Sequence, residues 1–301
     1  MFQYTLDNKR YHTLNYFFRN KFHGKVFKVA LNAGLTCPNY KIGGCIYCDH
    51  GSGNHYEKID LLEQFQLVKI PLEKKWPNSK YIAYFQANTN TYAPVDILRE
   101  KYEQVLRIPN VIGIDIATRS DALSEEILDY LEELNQRTFL MVELGLQSMH
   151  EKTLQLIRRG HDLKNFEEAV KQLQKRGIFV VAHIINGLPG ETKEMMIETV
   201  KYLNSLKIDG IKIHMLYVSK NTDLAKQYLE KPFPLLTKSE YIDIVCEQLE
   251  YLDPNIVVMR ITGDPIKEDL IAPDWLLKKF CVLNDIDKEM KKRDIIQGDK
   301  T

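Results

Sequence analysis

Residues 26–48, VFKVALNAGLTCPNYKIGGCIYC, are the most informative part of the sequence, because they join a β-strand to a loop that carries three cysteines. The run VFKVAL has the β-branched and aromatic composition of a strand. Cys37, Cys45 and Cys48 follow it. In parallel βα barrels, the loops at the carboxyl ends of the strands build the active site. The cysteines therefore lie where such a barrel performs its chemistry.

Runs of the same kind recur along the chain and alternate with stretches of helical spacing, which is the pattern of repeated βα units. Five further runs follow VFKVAL: YIAYF from Tyr81, VIGIDIA from Val111, FLMVELGL from Phe139, IFVVAHI from Ile178 and GIKIHMLY from Gly210. Six units predict an α/β fold, a partial (β/α)6 TIM-like barrel with one open side.

The chain beyond the sixth unit predicts a C-terminal α/β extension packed on the barrel. Residues 236–252 have the pattern of an amphipathic helix, NIVVMRI from Asn255 that of a strand, and a terminal helix begins at Trp275. The predicted parts are an N-terminal segment, residues 1–25, a barrel, residues 26–235, and the extension, residues 236–301.

Composition is typical of an ordinary globular protein. Of 301 residues, 41 Lys and Arg balance 41 Asp and Glu, and 44% are hydrophobic, which excludes wholesale disorder, collagen and coiled coil. The N-terminus, MFQYTLDNKRYH, has no apolar core of signal-peptide length, and no run has the roughly 18 apolar residues of a membrane span, so we expect a cytoplasmic protein with no membrane partner. Thiols stay reduced in the cytoplasm, and clustered cysteines there indicate metal ligands or catalytic groups rather than disulfides.

Three clustered thiols allow more than one kind of site. A cubane iron-sulfur cluster normally takes four Cys ligands, so three cysteines leave one iron open to a substrate or cosubstrate. A zinc site with His50 or His55 as the fourth ligand is an alternative, and a redox CxxC is another. Cys246 and Cys281 lie in helical runs, where a lone cysteine is usually a small buried apolar residue.

Several short motifs, taken in order, resemble the radical S-adenosylmethionine (SAM) superfamily and, within it, the YtqA/YhcC-type family, a relative of the Elongator catalytic subunit. The motifs are TCPN, GGCIYC, ATRSDAL from Ala117, VELGLQS from Val142, RRGHD from Arg158, NGLPGET from Asn186, IKIHMLY from Ile211 and APDW from Ala272. They cover nearly the whole chain. Because several motifs in the right order are more specific than any one of them, the iron-sulfur interpretation becomes the leading one.

The resemblance implies two cofactors and a partner. Cys37, Cys45 and Cys48 would hold a 4Fe-4S cluster whose open iron chelates the amino and carboxylate groups of SAM. One-electron reduction would cleave SAM to a 5′-deoxyadenosyl radical that abstracts a hydrogen from the substrate. A one-electron reductant such as flavodoxin or ferredoxin is therefore an expected partner.

The resemblance also predicts residues that bind SAM. They are Gln86, Asn88, Arg119, Glu143, Gln147 and Gly187. Arg119 suits the carboxylate because a guanidinium pairs bidentately with it, and Glu143 and Gln147 suit the ribose hydroxyls. Gln86 and Asn88 stand where many relatives have a glycine-rich segment that contacts the amino group. The loop of Gly187 is expected beneath the adenine.

Three further residues are candidates for catalysis. Lys212 and His214 are two apart, so they face the same side of the sixth strand, and His183 is placed similarly on the fifth. We predict that these three bind substrate or move a proton.

The N-terminal segment is basic and aromatic between Asn8 and Lys28. Its residues of these kinds are Lys9, Arg10, Arg19, Lys21, Lys25 and Lys28, interleaved with Tyr11, Tyr16, Phe17, Phe18, Phe22 and Phe27. Such a combination suits phosphate contact and base stacking. The Elongator branch acts on carbon 5 of the wobble uridine in tRNA, so the resemblance implies a tRNA-modifying enzyme. Because 301 residues leave no room for the Elongator acetyltransferase domain, we expect tailoring of an existing C5 side chain.

Two alternative functions stay open. A radical SAM enzyme with the same barrel could act on a small metabolite or a porphyrin. A zinc-stabilised RNA-binding module would bind tRNA, but it would neither hold iron nor consume SAM.

Overall fold

The computed structural model describes residues 2–49 and 59–301. Its strands are β1 (Val26–Leu31), β2 (Lys80–Phe85), β3 (Val111–Thr118), β4 (Phe139–Gln147), β5 (Phe179–Asn186), β6 (Gly210–Met215), β7 (Val218–Ser219), β8 (Val257–Arg260) and β9 (Leu270–Ala272). Its helices are α1 (Leu14–Phe22), α2 (Leu61–Lys75), α3 (Val95–Leu106), α4 (Glu125–Arg137), α5 (Glu151–Leu156), α6 (Leu163–Lys175), α7 (Lys193–Ser205), α8 (Asp223–Glu230), α9 (Lys238–Tyr251) and α10 (Lys279–Arg293).

Seven parallel strands form one curled sheet in the order β1, β2, β3, β4, β5, β6, β8. Each of the six predicted runs is a strand of this sheet, and helices cover its convex face, so the predicted α/β partial barrel is confirmed. The strand predicted from Asn255 does more than belong to an extension, because as β8 it hydrogen-bonds to β6 and becomes the seventh strand. β7 and β9 pair separately as a short antiparallel ribbon.

The main core lies between the convex face of the sheet and the helices. Alternate strand residues such as Val29, Ile114 and Val142 point outward into it, and helix residues such as Leu131 and Phe166 meet them there. All five are fully buried. This alternation leaves the intervening residues of each strand facing the concave interior of the half-barrel.

The interior is closed at the amino-terminal ends of the strands, which we call the lower end. Phe18 of α1 packs there against Val26, Ile82 and Met141 of the first, second and fourth strands. Phe139 and other partly buried aromatic residues surround this apolar cluster. The carboxyl ends of the strands, which we call the upper end, carry the loop with the three cysteines.

Phe17, Phe18 and Phe22 belong to this cluster, which forms an apolar plug at the lower end. The expectation that the N-terminal aromatic residues are available for base stacking is therefore wrong for these three. Phe18 is 3% exposed, and Phe17 and Phe22 pack against the same cluster because the lower end would otherwise expose apolar strand residues. Tyr11 is also buried. Lys28 does not belong to a basic surface either, because its side chain enters the half-barrel.

Acidic residues of α10 neutralise part of the basic N-terminal segment. Lys9 pairs with Asp287, and Arg10 Nη1 lies 3.0 Å from Asp294 Oδ1 just beyond that helix. The segment also covers the outer edge of β8, where the Val258 amide donates to the carbonyl of His12 at 2.8 Å. Its role in this fold is therefore largely structural.

None of the helices built from residues 2–49 and 59–301 is both long enough and apolar enough to cross a membrane.

Candidate active site

A cavity of about 740 Å³ occupies the upper part of the half-barrel. Of the twelve residues that the sequence predicts for the site, all but Gly187 line it: Cys37, Cys45, Cys48, Gln86, Asn88, Arg119, Glu143, Gln147, His183, Lys212 and His214. The fold thus brings together residues that are up to 177 positions apart in the chain, from Cys37 to His214.

Glu143 is the centre of a charged layer on the floor of this cavity. The carboxylate is buried and accepts hydrogen bonds from four donors: Lys28 Nζ at 2.8 Å, Tyr84 Oη at 2.8 Å, His183 Nε2 at 2.8 Å and Lys212 Nζ at 2.6 Å. A buried carboxylate is stable only when it is paired and hydrogen-bonded in this way. The sequence predicts ribose hydroxyls as the partners of Glu143, but the protein itself supplies the donors.

The charged layer contains groups whose pKa values lie near neutrality. Burial raises the pKa of Glu143, but the positive charges of Lys212 and Lys28 outweigh it and hold that pKa well below its usual range. Burial lowers the pKa of Lys212 to about 7, against the attraction of Glu143. Burial and repulsion from Glu143 raise the pKa of Asp115, which pairs with Lys28, to about 7.

The two histidines of the site are neutral at pH 7. Burial lowers the pKa of His183 to about 4, although Glu143 pulls it upward. Burial, together with His183 and Arg260, lowers the pKa of His214 well below its usual range. The two rings lie 5.5 Å apart between centroids. A neutral imidazole offers one N–H donor and one acceptor, so each ring can both orient a ligand and accept a proton.

The cysteine loop folds back on itself directly after Cys37. A 3-10 turn over Pro38–Ile42 is ended by Gly43, whose φ of 93° lies in the left-handed region that a side chain disfavours. This reversal brings Cys45 and Cys48 back to the same cavity as Cys37.

Hydrogen-bond donors surround the thiols. Asn39 Nδ2 lies 3.3 Å from Cys45 Sγ, and Arg159 Nη1 lies 3.8 Å from the same sulfur. Tyr40 Oη lies 3.6 Å from Cys48 Sγ, although its single proton is donated to Asn88 Oδ1 at 2.7 Å. Donors of this kind stabilise negative charge on a thiolate or on a metal-bound sulfur.

The chemistry of this donor set fits an iron-sulfur cluster. Within residues 2–49 and 59–301, no three His, Cys, Asp or Glu side chains are gathered closely enough to hold a metal ion as they stand. The three thiols nonetheless line one cavity, and thiolates are the ligands that such clusters take. His50 and His55, the alternative zinc ligands, lie outside the described residues.

Like Glu143, two more of the predicted SAM-binding residues already have protein partners. Arg119 donates to Asp121 through Nε at 2.8 Å and Nη2 at 2.7 Å, and through Nη1 to the carbonyl of Arg159 at 2.8 Å. Asn88 accepts from Tyr40 Oη at 2.7 Å. A SAM carboxylate at Arg119 must therefore share the guanidinium with Asp121. Gln147 lines the cavity.

Gly187 is not among the described residues that line the cavity. A side chain at this position would come within 3.0 Å of Leu236, because the loop after β5 packs against the segment that leads into α9. Its predicted contact with adenine stays a prediction.

Several site residues are missing from the sequence-based prediction. Lys28, Tyr84, Asp115 and Arg260 line or underlie the cavity, and Arg159 touches Cys45. Four of the five lie on strands as isolated polar residues among apolar neighbours. That alternation is the signal by which they could have been found.

Comparison with known proteins defines the class of this one. The profile of the Radical SAM superfamily matches residues 33–203, and that of the Radical_SAM C-terminal domain matches residues 208–292. The chain therefore belongs to the radical SAM superfamily and is an enzyme. Members of this superfamily typically use a 4Fe-4S cluster and SAM. This membership excludes the alternative of a zinc-stabilised RNA-binding module without enzymatic activity.

Similar proteins show to which family within the superfamily the chain belongs. The uncharacterized protein YtqA of Bacillus subtilis is 49% identical over 99% of this chain and 94% of its own length, which confirms the YtqA/YhcC-type resemblance. A tRNA uridine(34) acetyltransferase of Methanocaldococcus infernus is 28% identical over 51% of this chain and 29% of its own. The structure of the M. infernus Elp3 superposes with a TM-score of 0.71 at 21% identity, over 91% of this chain and 64% of that one, and shares its fold.

Proposed function

We propose that this enzyme binds a 4Fe-4S cluster through Cys37, Cys45 and Cys48, binds SAM in the adjoining cavity, and modifies tRNA by tailoring the C5 side chain of the wobble uridine. One observation carries the first part of the proposal. The three thiols line the same cavity as the charged layer, so a cofactor held by the loop faces the groups that can bind a substrate.

A 4Fe-4S cluster held by Cys37, Cys45 and Cys48 would, together with SAM, supply the radical chemistry that no side chain can provide. The protein contributes position. Gln86, Asn88, Arg119 and Gln147 are the candidates for contacts to SAM beside the cysteines.

The floor of the cavity holds and moves protons. Lys212, with its pKa near 7, can be either charged or neutral at physiological pH and hydrogen-bonds to Glu143 and to Tyr84 Oη. His183 is hydrogen-bonded to Glu143, and the ring of His214 lies 5.5 Å from that of His183. We therefore assign Lys212, His183 and His214 to substrate binding and proton movement.

The relation to tRNA uridine(34) acetyltransferase supports the choice of substrate. That similarity covers half of this chain. Enzymes that act on a base take it out of the stack and place it in a pocket, and the cavity at the upper end is the candidate pocket for such a base. The basic N-terminal segment lies at the lower end, so the RNA must approach the other face.

Mass spectrometry of tRNA nucleosides tests the proposal. Cells lacking the gene are compared with cells that carry a wild-type, Cys45→Ala or Cys281→Ala copy. Cys281 is exposed on α10 and serves as the matched cysteine control. We expect a wobble-uridine precursor to accumulate in the deletion strain and with Cys45→Ala, and to disappear with the other two copies.

Each other outcome rejects a stated part of the proposal. An unchanged nucleoside profile in the deletion strain rejects tRNA as the substrate and leaves a small metabolite or porphyrin. Full complementation by Cys45→Ala rejects this cysteine as an essential cluster ligand while tRNA stays the substrate.

A further inference from the structure

The seventh strand delivers a cation to the cavity. Arg260, the last residue of β8, lines the cavity and is half-buried. A β-bulge puts it there, since Ile211 pairs with Val258 and the next residue, Lys212, pairs with Arg260. Met259 is the extra residue and packs in the apolar plug. The bulge thereby turns Arg260 and Lys212 toward the same interior, and bulges often re-aim side chains next to active sites.

Arg260 differs from the other cations that line the cavity. Lys212 pairs with Glu143, Arg119 with Asp121, and Arg159 donates to the carbonyl of Gly145 at 2.6 Å. In the described part of the chain, the guanidinium of Arg260 has no hydrogen-bond or ion-pair partner. A guanidinium carries five N–H donors and no acceptor. The half-buried guanidinium of Arg260 therefore has donors available for the oxygen atoms of a ligand.

The acidic residues that line the cavity are already engaged elsewhere. Glu143 is held by the charged layer, Asp264 pairs with Lys279 at 2.7 Å, and Asp49 accepts from Ser219 Oγ at 3.3 Å. Among the described residues, Arg260 therefore has no carboxylate partner, which leaves its guanidinium available to a ligand.

His214 is a second hydrogen-bond donor near Arg260. His214 lines the same part of the cavity on β6, and its side chain has no hydrogen-bond partner among the described residues. The ring is neutral, so it offers one N–H. Lys212 lies directly across from Arg260 in the sheet and adds to the positive potential. Donors and positive charge on one wall suit an anion.

We propose that Arg260 and His214 bind an anionic oxygen group of the substrate, a carboxylate or a phosphate. The guanidinium fork matches either group with two parallel hydrogen bonds. The inference rests on the proposed function, because it takes the substrate to enter this cavity. It adds the chemical class of the substrate group that the cavity floor binds. It requires neither tRNA nor turnover for its test.

Isothermal titration of the anaerobically purified full-length protein tests the inference. Acetate and inorganic phosphate are titrated separately, with chloride adjusted to constant ionic strength. The proteins are wild type, Arg260→Gln, Arg260→Lys and the control Arg99→Gln, whose arginine pairs with Glu133 on the helical surface. Circular dichroism verifies that each variant is folded, and Arg260→Lys keeps the charge if the glutamine variant does not fold.

We expect saturable binding of at least one anion to wild type and to Arg99→Gln, and binding weaker by about tenfold or more in Arg260→Gln, because a charge-assisted bidentate contact is lost. Arg260→Lys retains the charge without the fork and should bind with intermediate affinity. Binding of acetate alone identifies a carboxylate, and binding of phosphate alone identifies a phosphate.

Two results overturn the inference: the absence of saturable binding of either anion, or equal binding by wild type, Arg260→Gln and Arg260→Lys. Neither depends on the tRNA experiment. Anion binding at Arg260 with an unchanged nucleoside profile rejects the tRNA substrate alone, whereas a changed profile without anion binding rejects the role of Arg260 alone.

Discussion

Lys212 and Glu143 form an ion pair inside the half-barrel, with 2.6 Å between Nζ and Oε2 and both side chains at most 4% exposed. The pair joins the fold to the site, because the same carboxylate fixes Lys28 of the first strand and His183 of the fifth. Strands that are distant along the sheet thus meet through one anion. Removing that anion affects both stability and the shape of the cavity floor.

Glu143→Gln tests the structural weight of this anion. The substitution leaves Lys28 and Lys212 buried beside an amide, and breaking a buried ion pair costs about 3–5 kcal/mol of unfolding free energy. Urea denaturation at pH 7 measures the loss. Glu133→Gln, which removes an exposed carboxylate paired with Arg99, should leave the denaturation midpoint unchanged. Equal midpoints for both variants would contradict a buried, paired Glu143.

Protonation of His183 should destabilise the protein in mild acid. Its pKa is about 4 in the folded protein and about 6.5 in the unfolded chain. Between these values the unfolded chain binds the extra proton, so stability falls as the pH drops from about 6.5 toward 4. His183→Gln should show a shallower fall over this window, while His23→Asn, at an exposed helix end, should follow wild type. Unfolding free energies measured across the window decide this prediction.

Loss of any one loop cysteine should abolish cluster binding. Wild type and Cys281→Ser, reconstituted anaerobically, should contain about four iron and four sulfide per chain and absorb in the visible region. Cys37→Ser, Cys45→Ser and Cys48→Ser should lose most of both. Iron, sulfide and zinc analysis measures this, and one zinc per chain without iron in wild type would contradict the cluster.

Gly160→Ala should disturb the cysteine loop from a distance. A Cβ at Gly160 would lie 2.2 Å from Asn39 Oδ1, and Asn39 donates to Cys45 Sγ. Gly190 is a matched control, since it has the same left-handed φ of about 80° but no atom within 4 Å of a Cβ. Alanine at either position is strained in the left-handed conformation, which should lower the unfolding free energy by about 1 kcal/mol. In the cluster-loaded protein, Gly160→Ala alone should also release iron faster to a chelator. Equal release rates would show that Asn39 does not support the site.

Much of the fold is legible in the sequence because each strand is a run of apolar residues followed by a helical period. The sheet order from β1 to β6 follows when each strand lies beside the one before it in the chain, as sequential strands usually do. The seventh strand is different. NIVVMRI predicts a strand, but its place beside β6 depends on packing of α9 and α10 against the rest of the chain, which no local pattern encodes.

One part of the site can likewise be predicted from the sequence, and another part cannot. The three cysteines can be recognised from the sequence because they are close together in the chain, whereas the floor of the cavity is formed by single residues of separate strands. Lys28 illustrates the difficulty, since it closes a basic and aromatic stretch and also alternates with Val29 within β1. Charge patterning favours a surface, strand alternation favours the interior, and only the tertiary contacts with Asp115 and Glu143 decide between them.

The cover that residues 12 and 13 place over β8 has a consequence for the protein in a crowded cell. An open sheet ends in unpaired peptide groups, and such an edge is a template for strands of other molecules. Here the Val258 amide is satisfied by His12, and Thr13 continues the parallel pairing. This cover blocks the exposed edge of β8 and thereby disfavours the edge-to-edge association that leads to aggregates.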